Sequence, residues 1–250
     1  MSIQKTEAIV LRTTKLRETS LIVTFFSRDF GKLQALAKGV RQAGSPWTGL
    51  YEPLNRLEVV FYEKFRSEVH LATEAVGLDL RPALRKDFKA LSYGYYLTEV
   101  LENFANTGER DPAYWSAIEK TYELLPVSPV LISLIFQLKL LHHAGFLPDL
   151  ETVESRSGGK GLLSASFYET LKPRSGLQTM ALLEKKPALQ NTALIQNLRY
   201  LLRESWEKGL RLQMSKQELE EGESLLATLV AAKLDKKLRS RKFLEELNSA

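Results

Sequence analysis

Residues 5 to 41, KTEAIVLRTTKLRETSLIVTFFSRDFGKLQALAKGVR, decide the fold of the front of this chain. Three apolar runs, Ala8 to Leu11, Leu21 to Phe26 and Lys32 to Ala37, are rich in Ile, Val and Phe, and the breaks between them carry Thr, Asp and Gly. That is a β-strand pattern. Cations recur at Arg12, Lys15, Arg17, Arg28, Lys32, Lys38 and Arg41, and the spacing predicts that they fall at strand ends and turns. Long side chains so placed reach outward to a ligand while the apolar faces close a core.

Downstream, GVRQAGSPWTGLYEP holds Gly39, Gly44, Ser45, Pro46, Gly49 and Pro53, which exclude regular structure and predict a long loop carrying Trp47 and Tyr51. Strand signals resume at Leu54 to Phe61 and at Val69 to Ala75. Five short strands cannot cover both faces of an open sheet, so closure into an OB-type barrel is expected.

From Leu80 the period becomes helical, with Leu84, Phe88, Leu91, Tyr95, Val100, Leu101 and Phe104 spaced along a helix that opens at Pro82. A second helix is predicted from Pro112 to about Leu125, with Asp111 as its N-cap. A third, from about Pro129 to Ala144, is apolar enough to be the centre of a bundle, and Gly145 and Pro148 end it. The polar stretch LPDLETVESRSGGKG, from Leu147 to Gly161, reads as a loop. Later helices are expected within Phe167 to Leu171, Ala193 to Trp206, Lys216 to Leu234 and Ser240 to Leu247. The fold class is α+β: an N-terminal five-stranded OB-type β-barrel over residues 1–79, then a mostly α-helical domain over 80–250.

With 250 residues and 44% hydrophobic content the chain can bury a sizeable core. Its 35 Lys and Arg against 30 Asp and Glu give a net charge of only +5, unevenly spread. Residues 1–50 hold eight cations and three carboxylates, and KLDKKLRSRK at 233–242 holds six and one. Positive charge at both ends suits a nucleic-acid footprint, although a basic tail also serves simply as a solvated face. Cys is absent, which excludes disulfides, thiolate nucleophiles and cysteine zinc sites. The first residues lack the apolar core of a signal peptide, and no run approaches the ~20 apolar residues of a membrane helix. A soluble cytoplasmic protein is expected, with no membrane partner.

Catalytic chemistry is thinly represented. Adjacent His142 and His143 point about 100° apart on a helix and cannot chelate one ion, so with His70 they read as core or cap residues. Ser157-Gly158-Gly159-Lys160-Gly161 lacks phosphate-loop spacing. Glu220 and Glu221 suit a polar helix face. No enzyme activity, metal or cofactor is expected.

Polyanion binding asks only for clustered cations. Lys32, Lys38 and Arg41 are the first candidates, then Arg12, Lys15 and Arg17, with Trp47 either a stacking platform for bases or packing for its loop. For each cation alone, keeping the barrel exterior wet is an equal reading. Arg81, Arg85, Lys86 and Lys89 either continue the basic surface onto the first helix or pair with Asp79 or Asp87. Lys236, Lys237, Arg239, Arg241 and Lys242 are dense enough to reach a duplex backbone.

These residues resemble the bacterial recombination mediator family RecO. The likeness rests on Val10-Leu11-Arg12, Glu18-Thr19-Ser20, Gly31-Lys32 and Ala37-Lys38-Gly39, then on LKLLHHAGFLPDL and the closing LRSRKFLEEL. The resemblance implies an OB barrel on a helical domain. It also implies binding to single- and double-stranded DNA, annealing of complementary strands, and loading of the RecA recombinase. The implied partners are RecR, the acidic tail of the single-stranded-DNA-binding protein and RecF, with association to the nucleoid. Many members carry a four-cysteine zinc site, whose ligands would fall near Val153, Arg156, Ser164 and Phe167; none of these is a cysteine, so the module near 147–166 is expected to be metal-free. Rival readings remain open: a scaffold whose barrel binds a protein subunit rather than DNA, and a metal-dependent nuclease.

Overall fold

The computed structural model describes residues 2–64, 67–147, 150, 192–236 and 238–249. The chain divides into two compact units, Met1–Pro126 and Val127–Ala250.

In the first unit five strands, β1 (Ser2–Leu16), β2 (Ser20–Ser27), β3 (Gly31–Ala37), β4 (Arg56–Glu63) and β5 (Val69–Asp79), close a barrel in the order β1-β2-β3-β5-β4. β1 reaches around the barrel because its first half pairs with β4 (Ser2 with Glu63) and its second half with β2 (Leu16 with Ser20). A register shift between Val10 and Arg12 lets one strand serve both neighbours. β3 meets β5 in parallel, which closes the ring and leaves no free edge. Val10, Val23, Phe25, Leu33, Ala35, Leu57, Val59 and Phe61 fill the interior.

β1 is much longer than its apolar run, because its outer polar residues still pair with neighbours. Arg12 lies inside β1, which corrects the expectation for that residue, whereas Lys15 and Lys32 sit one residue in from a strand end. Arg17, Arg28, Lys38 and Arg41 do lie outside strands.

The loop between β3 and β4 is packed. Tyr51 is 4% exposed and meets Phe25 edge-on at 6.2 Å, and Asn55 Nδ2 donates to the carbonyl oxygens of Gly49 and Leu50 at 2.9 Å each.

Instead of one helix from Pro82, the chain forms α1 (Pro82–Lys86) and α2 (Phe88–Phe104). Asp87 is extended and its carboxylate accepts from the backbone N–H of Ala90, restarting the helix as an N-cap. The restart shifts the buried face: Tyr93, Tyr96, Leu97, Val100 and Leu101 are inside, whereas Phe88 and Tyr95 are exposed. α3 (Pro112–Leu124) begins as predicted, with Asp111 accepting from Tyr114 N–H.

In the second unit, α4 (Pro129–His143) is buried along nearly its whole length. α5 (Thr192–Arg203), α6 (Trp206–Gly209) and α7 (Lys216–Leu234) pack around it, and α8 (Arg239–Ser249) follows. Close approach explains two glycines: a Cβ on Gly209 would sit 2.9 Å from Ile135, and one on Gly222 would sit 3.4 Å from Leu134. Lys139 reaches the end of α5, donating to the carbonyl oxygens of Leu202 and Glu204 at 3.1 Å each, and burial lowers its pKa. Gly145 ends α4 in the left-handed conformation, φ 68°. The predicted helix at Phe167 to Leu171 and the positions Val153, Arg156, Ser164 and Phe167 lie outside the described residues.

Candidate nucleic-acid interface

Strand register brings the β1–β2 turn, Arg17 to Thr19, beside the exit of β3, since Leu21 pairs with both Lys15 and Ala37. Arg41 ties the two together: its backbone N–H donates to Thr19 O at 3.0 Å and its guanidinium to Arg17 O at 3.3 Å. Arg17 itself is left-handed, φ 54°. Consecutive turns, closed by Gln42 N–H to Gly39 O, Ser45 N–H to Gln42 O and Thr48 N–H to Ser45 O, raise the loop into a wall.

Between turn and wall lies a cleft of about 670 Å³, lined by Arg17, Thr19, Lys38, Gly39, Gln42 and Trp47 among others. Lys15, Arg17, Lys38 and Arg41 are all exposed, and none is ion-paired to a carboxylate among the described residues. Glu18 shares the turn as a local negative charge. Trp47 is half-buried against the barrel core and also lines the cleft.

Arg12 and Lys32 belong to a different place. Arg12 Nε donates to Glu102 at 2.7 Å, and the Lys32 ammonium donates to the Glu102 carbonyl oxygen at 2.8 Å. The Lys32 backbone is pinned too, its N–H donating to Asn106 O and its carbonyl accepting from Gly108 N–H. Both residues line a smaller polar cleft of about 220 Å³ that also contains Glu102 and Glu68. A cation against the last turn of α2 is favourably placed for that helix, so Lys32 has a structural task that its local sequence does not signal.

On the helical side, Arg85 is held by the carbonyl oxygens of Leu80 and Pro53, by Asn55 and by Glu52, while Lys86 and Lys89 are exposed. Arg81 makes the expected pair with Asp79 but is buried rather than exposed. It is 7% exposed and left-handed, bonded to Asp79 and Glu119, with its guanidinium 5.1 Å from the Tyr122 ring centre. Glu119 also takes Arg56 at 2.6 Å, and Arg56 takes Glu7 at 2.8 Å. Burial disfavours the charged Arg56 guanidinium, but Glu119 and Glu7 outweigh it and its pKa is raised. Sequence reading missed this network because its bonded pairs are up to 63 residues apart.

In α8, Arg241 lies between Glu223 and Glu245, and Lys242 lies 3.8 Å from Glu246. Arg239 is exposed, and Lys237 falls outside the described residues. The histidines divide: His142 and His143 are exposed in the last turn of α4, while His70 is half-buried and stacked on Phe61. Among the described residues no group of three or more His, Asp or Glu is placed to hold a metal, and none of their helices is long and apolar enough to cross a membrane.

Residues 1–79 match the family model for the N-terminal part of Recombination protein O, and residues 85–242 match the model for its C-terminal part. The DNA repair protein RecO of Moorella thermoacetica is 26% identical over 248 residues, 96% of this chain and 90% of that one. Its counterpart in Desulforudis audaxviator is 26% identical over 246 residues, covering 97% and 96%. That of Chloroherpeton thalassium is 37% identical over 150 residues, covering 58% and 57%.

Proposed function

The chain belongs to the Recombination protein O family, and from that premise we propose that it is a non-enzymatic DNA repair factor that holds DNA at the turn-and-loop end of its barrel and anneals complementary strands. The observation that carries this reading is the group of Lys15, Arg17, Lys38 and Arg41, exposed at one end of the barrel and free of carboxylate partners among the described residues, with Arg17 and Lys38 lining one cleft. Phosphates that replace small counterions on such a group release them to solvent, which favours binding without a bond being made or broken. Annealing then requires neutralised backbones and bases left accessible. Lys38, Arg41, Arg17 and Lys15 are the phosphate ligands in this account, while Arg12 and Lys32, held at Glu102 in the smaller cleft, are secondary. Lys86, Arg239 and the C-terminal run are secondary contacts, with Arg85 and Arg241 fixed mainly to protein groups.

Family membership supports a place beside RecR, RecF and the single-stranded-DNA-binding protein in loading RecA, in the nucleoid-bearing cytoplasm. A second reading, a barrel that docks a protein subunit, draws on Ile3 and Tyr62, a directly opposed pair on β1 and β4 that is 63% and 36% exposed. The test mixes two labelled complementary oligonucleotides with the protein, without nucleotide or metal. Faster duplex formation is expected, with no shortened product when magnesium or manganese is added. Unchanged annealing together with no DNA binding would move the assignment to the protein-docking reading.

A further inference from the structure

Building on that reading of the barrel end, we infer that the cleft between the β1–β2 turn and the 38–47 loop is a subsite for single-stranded DNA that duplex cannot use, with one base stacked on Trp47. Three features support it. The cleft is open and bounded on one side by the loop, and its size of about 670 Å³ lies within the range of small-ligand pockets. It is lined unevenly: Trp47 and Pro46 offer an apolar face, while Arg17 and Lys38 supply charge and Thr19, Ser20 and Gln42 supply hydrogen-bonding groups. Trp47 is braced from behind by the barrel core, so its orientation is set before a ligand arrives.

A base needs to leave its stack to lie on an indole inside such a wall. In a single strand this costs little, whereas in a duplex it requires unpairing and unstacking. Lys15 and Arg41 stand outside the set of residues that line the cleft, so duplex phosphates can still meet them at the rim. The same end of the barrel then holds both substrates, but only the single strand gains the indole.

The probes are oligothymidylate and a blunt duplex of equal length, titrated at fixed salt against the full chain, Trp47→Ala, Trp47→Phe and Lys38→Glu/Arg41→Glu. Trp47→Ala should weaken oligothymidylate binding by about tenfold or more and duplex binding by less than about twofold. Trp47→Phe should retain most of the single-strand affinity because a ring remains. The charge-reversal pair should weaken both ligands. Oligothymidylate, but not duplex, should quench tryptophan emission, and Trp47→Phe should remove that quench while Trp115 and Trp206 remain; this readout holds even if Trp47→Ala folds poorly. Equal losses on both ligands, or a quench that survives in Trp47→Phe, would overturn the subsite. Failure of the unaltered chain to bind either ligand would overturn the DNA-holding reading as well.

Discussion

The Lys32 ammonium donates to the carbonyl oxygen of Glu102 at 2.8 Å, so a side chain of the third strand closes the last turn of a helix 70 residues later. Lys38, six positions on, has no such task and is exposed. Lys32→Ala should therefore cost about 1 to 2 kcal/mol of stability, and Lys38→Ala should stay within about 0.5 kcal/mol of the parent. Urea melts of the two variants check this, and the reverse order would show that Lys32 is a surface cation like the others.

Gly31 is left-handed at φ 61°, and a Cβ there would lie 1.8 Å from the carbonyl oxygen of Glu109. Backbone blocks the space, so no side-chain rotation relieves it. Gly31→Ala should destabilise by about 2 to 4 kcal/mol, seen as a lower thermal midpoint. A midpoint equal to the parent's would mean that the 106–109 loop stands further from the barrel.

Glu119 satisfies both Arg56 and the nearly buried Arg81. Glu119→Gln leaves Arg56 with Glu7 alone and the nearly buried Arg81 with Asp79 alone, and should cost about 2 to 4 kcal/mol. Adding Arg81→Met should recover part of that loss, because the buried charge then held only by the more exposed Asp79 is gone. Simple additivity in the double-mutant cycle would argue that the two residues are not coupled.

His70 supplies the pH dependence. Its Nδ1 accepts from the Lys64 backbone N–H at 3.3 Å, and its ring stacks on Phe61. Burial lowers its pKa, with the Lys64 charge adding to the effect and Glu63 opposing it. The fold thus prefers neutral His70. Its contribution is complete above the unfolded value of about 6.5 and is lost as the pH falls from there through the folded pKa. Chemical denaturation from about pH 7.5 to 5 should show a steeper loss for the parent than for His70→Phe. Parallel profiles would remove His70 as the cause.

Much of this was legible in the order of residues. Alternation in Leu54 to Phe61 and the apolar run Leu21 to Phe26 gave two barrel strands, and Asp111-Pro112 gave the start of α3, because each signal is local. Asp87 was readable as an N-cap in principle, but the helical period on either side of it masked the break. Arg81 with Glu119, and Lys32 with Glu102, were not readable, since only the closed fold brings them within reach. The same holds for the cleft: Arg17 and Lys38 were visible as cations, but their meeting across one wall depends on the register of β1, β2 and β3.

The most direct measurement is the equilibrium affinity for oligothymidylate between about 50 and 300 mM salt, for the parent and for Lys38→Glu/Arg41→Glu. Neutralising about four phosphates predicts a log–log slope near −3 and a loss of about a hundredfold across that range. The double variant should flatten the slope by about 1.4 while its melting midpoint stays close to the parent's. A flat parent slope, or a slope that the charge reversals leave unchanged, would contradict DNA holding by this end of the barrel.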